Sequence, residues 1–221
     1  MSVKTRLFVM MVLQLAVWGA WAPKLFPYMG MLGFQPWQQS LVGSCWGVAA
    51  IAGIFFSNQF ADRNFSAERF MAVSHLLSGL ALVFVAFSTS FWPFFAGYLV
   101  YSLLYVPTLS VSNSVAFANL PDPAKDFGAV RMGGTVGWML VSWPFVFLLS
   151  DQADPAQVRW IFLVAAIVSF ALAAYSLTLP HTPPRKEAAG IDKLAWRRAL
   201  TLLGTPFVLV LFIVTFIDSV I

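Results

Sequence analysis

Residues 7–29 read LFVMMVLQLAVWGAWAPKLFPYM, an apolar run that carries a single charge, Lys24. A helix rises about 1.5 Å per residue, so about 20 residues cross the roughly 30 Å of hydrocarbon in a bilayer. Five more blocks of this kind follow, at Leu41–Phe60, Phe70–Ser88, Pro93–Ala116, Val130–Leu149 and Arg159–Leu179. A seventh begins near Thr205 and is still apolar at Ile221. Of 221 residues, 60% are hydrophobic and 10% charged, whereas a soluble domain keeps about a quarter charged to cover its surface. The chain therefore reads as an all-α polytopic membrane protein. Ala20-Trp21-Ala22 after Lys4 and Arg6 imitates a signal-peptide cleavage site, but the run continues past it, so the first helix reads as retained.

Lys and Arg set the orientation. With the N-terminus inside, the inner segments hold Lys4, Arg6, Arg63, Arg69, Lys125, Arg131, Arg185, Lys186, Lys193, Arg197 and Arg198; the outer side holds Lys24 and Arg159. That bias predicts a cytoplasmic N-terminus. The net charge of +4 lies in short clusters between apolar blocks, which fits a lipid bilayer as partner and excludes a nucleic-acid platform. Cys45 is the sole cysteine and sits in an apolar block. It reads as a packing residue, and no Cys/His cluster calls for a metal or a cofactor.

Three regions follow. Residues 1–180 form a six-helix N-terminal bundle, 181–204 an inner linker opening on His181-Thr182-Pro183-Pro184, and 205–221 the start of a seventh helix that reads as cut short. From Ile191 the linker is either a basic amphipathic helix on the inner surface, with Leu194, Trp196, Arg197 and Arg198 at the interface, or an unstructured basic segment.

Polar groups inside spans are costly and ask for a reason. On the first span Gln14, Trp18 and Trp21 recur at i, i+4, i+7, with Tyr28 a heptad on. Such a face either stacks and hydrogen-bonds a flat polar ring or packs against a neighbouring helix. The fifth span repeats the spacing with Arg131, Thr135 and Trp138, beside Gly133, Gly134 and Gly137. Arg131 either turns its donors toward a ligand in a wet cavity or, standing near the inner edge, snorkels to phosphates. Pro107, Thr108, Ser110, Ser112, Asn113 and Ser114 give the fourth span a polar kink that lines a cavity or merely packs. His75, near Ser74 and Ser78, is either a hydrogen-bonded structural histidine or a proton relay. Asp218 is the carboxylate deepest in an apolar block, and a membrane carboxylate is the usual proton carrier in coupled transport. Asp62, Arg63 and Arg69, between the second and third spans, read as a conformational latch or as ordinary inner-side anchoring.

Several of these stretches together resemble one family. Leu13-Gln14-Leu15, Trp18-Gly19-Ala20-Trp21 and Tyr28-Met29 are similar to its first helix; Tyr105-Val106-Pro107-Thr108-Leu109 and Asn113 to its fourth; Val130 through Trp138 to its Arg-x-x-Gly-Thr-x-Gly-aromatic fifth; and Leu177 through Pro183 to the end of its sixth. The family is the nucleoside:proton symporters of the major facilitator superfamily, whose loop between helices two and three the Asp62-Arg63…Arg69 segment also resembles. The resemblance implies the N-terminal six-helix bundle of the major facilitator fold plus the start of helix 7. It also implies secondary active, proton-coupled nucleoside uptake across the inner membrane, with nucleoside and protons as partners. The family's N-domain contacts fall on Arg131 and Thr135, with a ring at Trp138 where the family commonly has Phe; Gln14 and Trp18 join them as candidates. Two alternatives stand beside this: a major facilitator transporter of another small solute (sugar, nucleotide precursor or drug), and a half-length membrane protein that does not transport. No nucleophile–base or metal constellation points to an enzyme.

Overall fold

The first apolar block folds as two helices. In α1 (Val3–Trp21) the Ser2 hydroxyl caps the first turn by accepting from the Thr5 N–H; a 3-10 turn at Ala22–Lys24 follows, and α2 (Leu25–Met31) completes the span. The break falls at Pro23, which lacks the N–H that a continuing α-helix would use there. Gly33, at φ 75°, then reverses the chain in a conformation that costs a glycine little. The computed structural model describes residues 1–56, 65–149, 153–184, 204–210 and 213–214. It continues with α3 (Pro36–Phe56), α4 (Ala67–Phe87), α5 (Phe91–Asn119), α6 (Pro123–Leu148), the short α7 (Pro155–Val158) and α8 (Trp160–Ser176). No strand occurs among the described residues. The chain divides into two compact units, Met1–Pro184 and Arg185–Ile221. In the second, 206–210 and 213–214 are helical.

Helix boundaries correct the sequence reading in one instructive place. Hydropathy starts the fifth span at Val130, but α6 begins at Pro123. Asp122 caps it by accepting from the Lys125 N–H at 3.2 Å, and proline is well suited to the first helical position. Capping chemistry thus extends the helix through Lys125 and Asp126, which no hydrophobic window would include. Strict hydropathy and length alone mark four spans among the described residues: Val3–Met31, Ala67–Phe87, Phe91–Asn119 and Pro155–Ser176. Arg131 dilutes the apolar stretch of α6.

Lipid supplies no hydrophobic drive between helices, so close packing must hold them. α1 and α6 meet backbone to backbone. A Cβ on Gly137 would collide with the Val12 carbonyl; one on Gly133 would lie 2.7 Å from the Phe8 carbonyl oxygen, and one on Gly19 2.6 Å from that of Trp138. On the other side, α5 presents a column of rings. Phe94, Tyr98, Tyr101 and Tyr105 are all 1% exposed or less, and Phe94 meets Phe162 of α8 edge-on at 5.8 Å. Lys24 and Arg159 are both engaged: Lys24 donates to the Leu149 carbonyl at 3.0 Å, and the Arg159 guanidinium lies 5.3 Å from the centre of the Phe87 ring. At the opposite end Lys4 pairs with Asp126 at 2.7 Å, tying the starts of α1 and α6. Being exposed, that pair contributes about 1 kcal/mol at most.

The α1–α6 contact yields the first prediction. Gly137→Ala should lower stability by about 1–3 kcal/mol, because overpacking forces one backbone off the other. Gly128→Ala on the same helix, where a Cβ meets nothing within 4 Å, should be neutral or mildly stabilising. Thermal unfolding of the two variants in detergent checks this; equal midpoints would refute it.

Candidate functional site

On α6 Arg131, Thr135 and Trp138 follow one another at i, i+4, i+7. A Cβ on Gly134 would sit 2.6 Å from Arg131 Nη1 and 3.0 Å from Leu15 Cγ. The guanidinium is therefore folded one turn forward, over Gly134 and against α1, away from the start of the helix where Lys125 and Asp126 lie. That point is about 16 Å along a helix about 39 Å long. The guanidinium also lies within electrostatic reach of Tyr105 on α5. Thr135 is exposed and Trp138 partly so, while Gly133, Gly134 and Gly137 are buried against α1.

The first-span stripe does not stay together. Gln14, Trp21 and Tyr28 are 0%, 3% and 2% exposed, and Trp18 alone remains partly open. Gln14, a candidate solute contact in the sequence, lies in the interior of this bundle. Its amide nitrogen donates to Thr108 Oγ1 at 2.8 Å, and its amide oxygen faces His75 Nε2 at 3.0 Å. With the amide so oriented, His75 Nε2 is the donor. Ser169 Oγ of α8 lies 3.2 Å from His75 Nδ1 and donates to the His75 carbonyl at 2.8 Å. Thr108 donates to the Tyr105 carbonyl and the Tyr105 hydroxyl to the Gln14 carbonyl, both at 2.6 Å. This junction joins α1, α4, α5 and α8. Both ring nitrogens of His75 thus face a polar neighbour inside the bundle. Trp21 spends its indole N–H on the Tyr101 hydroxyl at 2.9 Å, so it too packs.

Trp18 belongs to a different group. Its ring centroid is 4.7 Å from that of Trp46 on α3, with a 36° tilt, and Trp46 in turn lies 5.9 Å from Tyr105. The sequence reading missed Trp46, because a lone indole between Gly43 and Gly47 shows no polar periodicity.

Asp62 and Arg63 of the expected latch lie outside the described residues, as does Asp218; Arg69 is exposed. A different clasp is present. Glu68 is 6% exposed; its carboxylate faces His181 Nδ1 at 2.7 Å and accepts from the Thr182 N–H at 3.0 Å. Ala67 N–H donates to the Thr182 carbonyl at 3.1 Å, and Asn119 Nδ2 donates to Thr182 Oγ1 at 2.9 Å. The segment after the sixth span is thereby fastened to the ends of α4 and α5. No group of His, Cys, Asp and Glu that could hold a metal occurs among the described residues.

Comparison with known proteins matches residues 1–221, the whole chain, to the family described as Nucleoside H+ symporter. The chain belongs to the nucleoside H+ symporter family. That family comprises transporters and not enzymes, and membership makes this a multi-pass membrane protein. Among its relatives, the putative nucleoside transporter YegT of Escherichia coli (strain K12) is 33% identical over 220 residues, 98% of this chain and 52% of the relative. The xanthosine permease of the same organism is 34% identical over 194 residues, 86% of this chain and 45% of the relative. The crystal structure of nucleoside transporter NupG superposes with a TM-score of 0.80 at 27% identity, covering 96% of this chain and 53% of that one. The fold is thus that of a major facilitator transporter, and the chain spans about half the length of the relatives it matches.

For this symporter-family chain, the buried junction generates the second prediction. Gln14→Leu or His75→Leu should each destabilise by about 1–3 kcal/mol, since each strands a buried polar partner. The double variant should cost less than the sum, because removing both partners leaves fewer groups unpaired. Melting temperatures of all three in detergent test it, and strict additivity would contradict the junction.

Proposed function

We propose that this chain forms the N-terminal half of a proton-coupled nucleoside transporter in the inner membrane, with a cytoplasmic N-terminus and inward transport. On this reading residues 1–180 are the first bundle, 181–204 the inner linker and 205–221 the opening of the second bundle. Arg131 and Thr135 supply polar contacts to the nucleoside, and Trp138 a ring beside them.

Family membership over the full chain supports the reading, as does the distribution of Lys and Arg. The observation that carries it is the Arg131 side chain lying over Gly134. A guanidinium held within a span, with no ion pair among the described residues, requires a wet or polar neighbour to offset its cost. Its rigid fork of donors matches the carbonyl and hydroxyl acceptors of a nucleoside. Transporters of this architecture bind solute near the midplane between two bundles and rock around it. The residues lining the first bundle then provide one wall of the site.

The test is uptake of radiolabelled nucleoside by cells making the intact protein. Arg131→Ala should reduce uptake about tenfold or more, and a protonophore should abolish it. Gly134→Ala should also reduce it, because the new methyl takes the place of the guanidinium. No uptake above a vector control, or full uptake by Arg131→Ala with normal membrane abundance, would refute the assignment.

A further inference from the structure

Trp46 has no place in the site as the sequence presents it, yet it stands beside the residues that do. Leu15 touches the point where the Arg131 guanidinium rests, and Gly19 meets the Trp138 backbone. Trp18 lies between them in sequence, one turn beyond Leu15 on a helix where residues three apart are neighbours. Trp46 then extends this surface onto α3, its ring 4.7 Å from that of Trp18 and tilted by 36°. Tyr105 lies beneath: 5.9 Å from the Trp46 ring and within reach of the Arg131 charge. Trp46 and the Arg131 charge therefore both reach one buried tyrosine.

Packing alone does not use up the two indoles. Trp21 meets Trp46 edge-on at 5.7 Å and is itself 3% exposed, but Trp18 and Trp46 both remain partly exposed. Room is left next to Trp46 along α3. A Cβ on Gly47 would meet nothing within 4 Å, and one on Gly43 would meet only the Phe26 ring, at 3.4 Å. An indole flanked by two glycines is approachable from that side by a flat molecule.

We propose that Trp46 and Trp18 together receive the heterocyclic base of the nucleoside, with Trp46 as a specificity-determining residue. The inference rests on the nucleoside reading given under Proposed function. Bases stack on aromatic rings whatever their hydrogen-bonding edges. The indole pair therefore selects for a planar heterocycle, while Arg131 selects for acceptors. It follows that a solute with the same sugar and a puckered, saturated base is the discriminating probe. Dihydrouridine is such a solute.

The experiment measures half-saturation for uridine and for dihydrouridine in cells making the intact protein, with membrane abundance quantified. Wild type should prefer uridine. Trp46→Leu, which keeps apolar bulk without a ring, should weaken uridine about tenfold and leave dihydrouridine nearly unchanged. Trp46→Phe should retain the preference. A purely structural role would shift both solutes together in Trp46→Leu, and that result overturns the proposal. Should Trp46→Leu fail to accumulate, Trp18→Leu carries the same expectation and the same refutation. Wild-type uptake with an unaltered uridine preference in the leucine variant sinks the indole pair alone. Absence of any nucleoside uptake by wild type sinks the nucleoside reading and this inference with it.

Discussion

In hydrocarbon an unpaired amide or imidazole costs several kcal/mol, so Gln14 and His75 are tolerable in the bundle only because each meets the other's need. The amide of Gln14 faces an imidazole on one side and a hydroxyl on the other. The imidazole reaches on to Ser169, and Tyr105 returns a hydrogen bond to the Gln14 backbone. Four helices, α1 and one from each of three further spans, thereby share one register. A helix that slid by a single turn would break these bonds with no water to replace them. Ring packing along α5 then fills the space that the polar junction fixes.

That junction also explains how the open side of the bundle is equipped. With Gln14, Trp21 and Tyr28 turned inward, the first helix contributes Trp18 to the partly open surface. The three glycines of α6 bring its backbone against α1, and the Arg131 guanidinium occupies the space that Gly134 leaves free. Stripping side chains from one face of a helix thus serves two purposes: close approach, and a berth for a long cation. Neither would survive a methyl group at those positions.

Much of this was readable in advance. Six spans, their order and the Arg131, Thr135 and Trp138 stripe follow from hydropathy and from a seven-residue spacing. The fate of the first-helix stripe does not, because helical spacing says which residues share a face and not what that face meets. Gln14 and Trp18 share a face in the sequence, yet one is closed off and the other partly open. Partners supplied by distant segments were equally hidden: Ser169 for His75, Thr182 for Glu68, Trp46 for Trp18. Each pairs residues from different helices, and nothing in the local pattern of either announces the other. The start of α6 was missed for another reason, since its capping residue lies outside the apolar run.

The glycine seam between α1 and α6 has a mechanical meaning. Neighbouring helices usually slide on a cushion of side chains that can change rotamer as they pass. Here carbonyl oxygens sit directly against α-carbons, and there is no such cushion to deform. Shear along that seam is blocked, so the pair can tilt or swing only as a single rigid lever, carrying the arginine on one helix and the tryptophan on the other through the same arc.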